Sequence, residues 1–333
     1  MMKKGVNWGV LGPGFIAQSF AKSFPESENC KLLAVGAIDQ QQADRYAEKF
    51  NVPRSYGTYE ELIADKDIDV IYIAVPNIAH AKYIKDCLNG GKHVLCEKTI
   101  TMNADQLREC IAIAKEKHLL LTEGLTSVFE PVMRAMKEKV EAGVYGKLHF
   151  VTVTCGSYKE YDKNNRFFSP ELGGGALFDI GCYAIGFANY FLSSKPTIVR
   201  SEGVLCDTGV DLKSAYVLKN DQDELATVLI ALRSKTEKIG IIACEDAFIR
   251  IEGFIRGSKA TVTYFDGRTE TYEFPVRQLE AEVEAVTEDL LEGREISSVC
   301  PMEYSLSILE VMDQAREQWG YQFPFEKEEK LNG

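Results

Sequence analysis

Tyr183 stands four residues after Asp179 in the run Gly173-Gly174-Gly175-Ala176-Leu177-Phe178-Asp179-Ile180-Gly181-Cys182-Tyr183. Three consecutive glycines are not helix interior, so a helix is expected from about 176 to 191, with Asp179 and Tyr183 on one face. Gly181 removes bulk between them and lets a flat ring approach. Lys98 follows Glu97 at the end of the short apolar run 94–96. A phenol near an ammonium group has its phenolate form favoured. That pairing suits proton transfer to or from a substrate hydroxyl while a hydride moves. Each residue alone also has a plainer reading: a surface lysine after a strand, or a half-buried tyrosine on an amphipathic core helix.

Gly12-Pro13-Gly14-Phe15-Ile16-Ala17 follows a strand-like stretch, 6–11, and opens a helix-like one. In that setting Gly12 permits a tight turn, Gly14 lets the backbone approach a pyrophosphate, and Ala17 allows helix to pack on strand. The N–H groups at the helix start then face the phosphates. A glycine turn in any α/β protein and a methyltransferase loop are the competing readings. At the end of the second strand the chain reads Ala37-Ile38-Asp39-Gln40, with no arginine until Arg45. An acidic residue there binds ribose hydroxyls, whereas an arginine accommodates a 2′-phosphate. The expected cofactor is NAD or NADP, with Ile38 and Asp39 favouring NAD; Asp39 also reads as a plain helix cap. Val75-Pro76-Asn77 closes a further strand, His80 follows within a turn, and Glu97-Lys98 closes the next. Loops at such strand ends line the ligand crevice of a parallel sheet.

These motifs need a sheet to hold them. The first 123 residues alternate strand-like and helix-like stretches, which implies an α/β Rossmann-type nucleotide-binding domain of five or six strands. Residues 124–333 are mainly short strands separated by polar turns, with two helices at 277–291 and 301–319. This predicts an α+β domain with a large, mainly antiparallel open sheet. Arg166, Phe167 and Phe168 precede the glycine run and are expected to border the substrate pocket.

The 333 residues can hold two cores, and 45% hydrophobic with 26% charged is ordinary for a globular chain. A net charge of −12 argues against nucleic acid as a partner and suits handling of small molecules. Nine cysteines without a C-x-x-C pair fit reduced thiols and a cytoplasmic setting. The four histidines show no metal-ligand spacing, so no metal is expected. Met1-Met2-Lys3-Lys4 imitates a signal n-region, but the stretch after it is too short and polar for a signal core. No run approaches the ~20 apolar residues of a membrane span.

Taken in order, the motifs resemble those of the glucose-fructose oxidoreductase / inositol dehydrogenase (Gfo/Idh/MocA) family, nearest its dihydrodiol dehydrogenase and sugar 1-dehydrogenase branch. The resemblance rests on G-x-G-x-x-A at Gly12 to Ala17, Val75-Pro76-Asn77 with His80, Glu97-Lys98-Thr99 for the family's E-K-P, and Gly173 to Tyr183. It implies an NAD(P)-dependent dehydrogenase acting on a sugar, cyclitol or dihydrodiol. Lys98 and Tyr183 would form the catalytic pair with Asp179 assisting, and Arg166 and Phe167 would join them at the substrate. Gly12, Gly14, Phe15, Ile16, Ile38, Asp39, Val75, Pro76, Asn77, His80, Glu97 and Lys98 would line the cofactor. It also implies a homodimer or homotetramer through the C-terminal sheet. A regulatory protein sensing nucleotide and sugar on the same fold is the alternative; retention of Lys98, Asp179 and Tyr183 argues against it. Two departures stand out. Thr99 replaces the family proline, and since a cis bond costs ~3 kcal/mol or more at threonine, a trans peptide is expected. Val128-Phe129-Glu130-Pro131 lacks the arginine of the family's R-F-x-P.

Overall fold

The computed structural model describes residues 5–196 and 198–326, and the Met1-Met2-Lys3-Lys4 stretch lies outside them. In chain order come β1 (Val6–Leu11), α1 (Phe15–Lys22), β2 (Cys30–Gly36), α2 (Gln40–Phe50), β3 (Arg54–Tyr56), α3 (Tyr59–Ala64), β4 (Val70–Ile73), α4 (His80–Asn89), β5 (His93–Glu97), α5 (Ala104–Lys117), β6 (Leu121–Gly124) and α6 (Thr126–Phe129). Then follow α7 (Pro131–Glu141), β7 (Leu148–Gly156), α8 (Cys182–Phe191), β8 (Ile198–Leu205), β9 (Asp211–Lys219), β10 (Leu225–Ala231), β11 (Ile239–Cys244), β12 (Ala247–Glu252), β13 (Lys259–Tyr264) and β14 (Thr269–Glu273). The helices α9 (Leu279–Leu291) and α10 (Met302–Gln318) follow.

Two compact units result. The first runs to Phe129 and adds Gln278–Glu303; the second is Glu130–Arg277 with the chain from Tyr304 onward. A single boundary at 123/124 would place α9 in the second half, whereas here it belongs to the first. Trp8 explains the difference. Val6, Trp8 and Val10 face one side of β1, and Leu279, Val283 and Val286 of α9 cover them. The Trp8 indole N–H donates to Thr287 Oγ1 at 3.2 Å. Phe20 of α1 stacks on Tyr72 of β4 with ring centroids 3.9 Å apart in the same core.

Among the described residues the first unit's sheet is parallel throughout, in the order β3-β2-β1-β4-β5-β6. The run Val70-Ile71-Tyr72-Ile73 is buried along its whole length, as a strand covered on both faces must be. Helix starts follow short polar side chains. Asp39, Thr58 and Asn103 accept the N–H groups of Gln42, Glu61 and Gln106 at the starts of α2, α3 and α5. The two short elements β3 and α3 went unread in the sequence, because three and six residues are too few to show a period.

Among the described residues the second unit's sheet has eight strands in the order β14-β13-β12-β11-β7-β10-β9-β8. Every pairing is antiparallel except β7 with β10, which run parallel. α8, β8 and β9 intervene between those two strands, giving the long crossover that parallel neighbours need. Val151, Tyr216, Val228, Ile242 and Ile249 point to one face and are buried. α8 covers that face, and Gly240 leaves the room that the Phe187 ring fills.

Candidate active site

The first unit gathers its expected residues at the carboxyl ends of β1, β2, β4 and β5. Gly12 has φ +96°, and a Cβ there would lie 2.9 Å from Val75 Cγ1 and 3.1 Å from Ala74 O, so only glycine turns the chain here. Gly14 precedes α1 with extended dihedrals (φ −70°, ψ −170°) and no side chain caps the helix. A Cβ on Gly14 would meet only Ala74 O, at 3.7 Å. The backbone at the helix start is therefore bare, which is the cradle a pyrophosphate requires. Ile16 is half-buried. Phe15 and Ile38 are large apolar side chains left 87% and 73% exposed at these strand ends, surface that a bound dinucleotide would cover. Asp39 caps α2, with Oδ1 accepting the Gln42 N–H at 2.9 Å and the Gln42 side-chain amide also donating to its carboxylate. The capping role foreseen for Asp39 is thus observed. Its carboxylate is exposed at the same time.

Val75, Pro76 and Asn77 follow β4, and Asn77 opens a short 3-10 turn before α4. His80 is neither a surface residue nor open to ligand. Its exposure is 0%, Nδ1 lies 3.0 Å from Thr99 O, and Nε2 lies 2.9 Å from Val75 O. It bridges the loop after β4 to the loop after β5. Burial lowers its pKa, with the two carbonyls pulling the other way; a neutral imidazole donates to one of them. Glu97 accepts from the Tyr72 hydroxyl, and its Oε2 takes the Lys98 N–H at 3.3 Å. Lys98 is half-buried.

The peptide from Lys98 to Thr99 is cis, not the trans bond expected. The expectation weighed only the local preference of a non-proline bond. In the fold, Thr99 is 1% exposed, its carbonyl faces His80, and the next N–H, that of Ile100, donates to Glu123 Oε1 at 2.9 Å. Glu123 went unnoticed in the sequence. It stands in the buried strand Leu121-Thr122-Glu123-Gly124, whose mixed composition gives no sign that its carboxylate is used.

The second unit carries the other expected residues on one loop and one helix. Arg166–Phe168 form a 3-10 turn. The Arg166 guanidinium and Lys159 ammonium sit 4.2 and 4.3 Å from the Phe167 ring centre, while Phe168 is fully buried. The Phe167 carbonyl accepts the Gly175 N–H at 3.0 Å, and the Gly175 carbonyl accepts the Asp179 N–H at 3.1 Å. Arg166, Phe167 and Asp179 are thereby tied to one glycine turn. The helix differs from the regular one expected: Leu177–Gly181 form a π turn before α8 begins at Cys182. Gly181 lies within it, where a Cβ would sit 3.0 Å from both Ile230 Cδ1 and Leu177 Cδ1. Such turns are frequent at functional sites. Asp179 is half-buried and Tyr183 is 7% exposed. Asp211, also unread in the sequence, accepts the Leu177 N–H at 3.0 Å.

Comparison with known proteins identifies the family. Residues 6–125 match the oxidoreductase family with an NAD-binding Rossmann fold, and residues 133–263 match the GFO/IDH/MocA C-terminal domain. The trans-1,2-dihydrobenzene-1,2-diol dehydrogenase of Xenopus laevis is 33% identical over 332 residues, 95% of this chain and 99% of that one. The chain belongs to the Gfo/Idh/MocA family. It is an NAD(P)-dependent oxidoreductase. A second relative, the scyllo-inositol 2-dehydrogenase (NADP(+)) of Bacillus subtilis, is 28% identical over 96% of this chain and 98% of that one. In fold, the chain is similar to a 3-ketoreductase from Actinomadura kijaniata solved with NADP and TDP-benzene, with TM-score 0.81, 22% identity, and coverage of 94% and 97% of the two chains. No helix among the described residues is long and apolar enough to cross a membrane.

Proposed function

We propose that this oxidoreductase interconverts a secondary alcohol and its carbonyl on a sugar, cyclitol or dihydrodiol. The observation that carries the reading is the full-length match to a trans-1,2-dihydrobenzene-1,2-diol dehydrogenase, 33% identical over 95% of the chain. The nicotinamide, when bound, supplies or accepts the hydride. Gly12 and Gly14 admit the pyrophosphate. Tyr183 moves the proton at the substrate oxygen, Lys98 donates to that oxygen and favours the phenolate, and Asp179 supports Tyr183. Arg166 and Phe167 border the substrate. A screen of dihydrodiols, polyols and aldoses with each nicotinamide cofactor tests this; absence of turnover across the panel counts against it.

NAD is the preferred cofactor in this reading. Ile38 offers no cation to a 2′-phosphate, and the exposed Asp39 carboxylate would repel one. The NADP(+) in the Bacillus subtilis relative's name belongs to that protein. Ile38→Arg is expected to shift the ratio of kcat/KM values toward NADP. Wild-type preference for NADP by more than about tenfold, or ~1.4 kcal/mol, contradicts this reading.

The chain self-associates through the second unit's sheet, as a homodimer or homotetramer. Ile249, Ile251, Ala260 and Val262 of β12 and β13 are buried on the inner face. An outer apolar stripe crosses β9, β10, β7 and β12. Phe150 and Leu225 are register partners, and with Val217, Leu229 and Phe248 they are 42–54% exposed. A stripe of this kind is normally covered. Leu229→Glu is expected to lower the mass in light scattering, and a wild-type monomer at micromolar concentration would refute the interface.

A further inference from the structure

Asp211 opens β9 with a carboxyl group at 2% exposure. Oδ2 accepts the Leu177 N–H at 3.0 Å, with Oδ1 3.3 Å from the same nitrogen. Bonds from the Ala176 and Asp211 backbones also favour its charged form. Ala176 and Leu177 begin the helical run that continues through the π turn into α8. N–H groups at a helix start have no carbonyl one turn back to accept them. Asp211 fills that need, and its charge suits the positive end of the helix.

Gly175 is matched to this carboxylate. Its φ is +115°, and any side chain there would collide with Asp211 Oδ1. The same glycine holds the Phe167 carbonyl on one side and the Asp179 N–H on the other. Asp211 itself is anchored from behind, as Leu205 is its register partner and the next carbonyl, that of Leu212, accepts the Leu232 N–H at 2.8 Å.

We propose that Asp211 is a positioning residue: it fixes the Gly175 turn and the helix start, and so sets where Asp179 and Tyr183 stand. The proposal rests on the reading of Tyr183 as proton carrier. Burial raises the Asp211 pKa to about 7, opposed by the N–H bonds. Tyr216 on the same strand and Tyr321 in the C-terminal segment face it, and burial first, then the Asp211 charge, pushes both phenols up. Ser214 Oγ lies 2.8 Å from the Tyr216 hydroxyl. The sign for stability follows from a folded pKa above the ordinary carboxylate value. The native state binds this proton more tightly, so wild-type stability falls as pH rises from about 4 to about 7.

Asp211→Asn keeps an acceptor oxygen and removes the charge; Asp211→Ser is a smaller second variant. In the full chain, amide hydrogen exchange at 176–183 is expected to speed up by about tenfold or more in both, with α9 unchanged. Melting temperatures of Asp211→Asn should gain on wild type as pH is raised from about 5 to about 8. With trans-1,2-dihydrobenzene-1,2-diol as substrate, kcat should fall in both variants and the KM for cofactor should stay within about twofold. Wild-type exchange at 176–183 in both variants, or a melting difference that does not change with pH, overturns the proposal. Near-wild-type turnover in Tyr183→Phe removes the proton-carrier reading instead, and leaves the exchange result to stand or fall alone.

Discussion

Tyr183→Phe is expected to lower turnover by about 10²–10⁴-fold, the usual contribution of a positioned acid–base group. The substitution keeps the ring and removes one oxygen. At 7% exposure the ring is packed inside its unit, so the fold is expected to survive. Cofactor affinity should also survive, because the substitution leaves Gly12 and Gly14, where the pyrophosphate is proposed to bind, unchanged. His80 cannot take over the proton easily, since both ring nitrogens are held against backbone carbonyls. Steady-state kinetics and cofactor titration on the same preparation check both parts. Near-wild-type turnover would leave Lys98 as the proton carrier and end the mechanism given above.

Gly14→Val is the second large effect, and it acts on binding instead of chemistry. Gly14 has φ −70°, which valine adopts without strain, and its Cβ would make an ordinary contact with Ala74 O at 3.7 Å. The protein should fold, with circular dichroism unchanged. The branched side chain would fill the bare backbone that a pyrophosphate must approach. Cofactor affinity should fall by about 100-fold or more, ~2.8 kcal/mol. The same change at Gly12 would be uninformative, because its φ of +96° and its contact with Val75 make a folding defect the expected result.

The glycine turn and the alternation of strand and helix were legible because each is local. A Gly-x-Gly turn after a strand is read within a few residues, and continuous apolar runs mark strands buried on both faces. The return of α9 to the first unit was not legible. Its amphipathic pattern says that Leu279, Val283 and Val286 seek cover, and it cannot say that Trp8 supplies it. Asp211 and Glu123 were missed for a related reason. A single acidic residue in a strand looks like surface, and only the fold shows it gripping a helix start or a loop N–H. The π turn at Leu177–Gly181 is likewise hidden, since the spacing from Asp179 to Tyr183 reads as one face of an ordinary helix. The cis bond before Thr99 is held among long-range partners, His80 and Glu123, that no tripeptide reveals.

In the proposed reaction Lys98 and Tyr183 act as a single acid–base unit, and a double-mutant cycle on turnover tests that most directly. Lys98→Met removes the charge that favours the phenolate and the donor to the substrate oxygen; Tyr183→Phe removes the proton carrier. If they act as one, the double variant should fall within about tenfold of the weaker single variant, far above the product of the two losses. Single losses that multiply in full would show two independent residues and contradict the account.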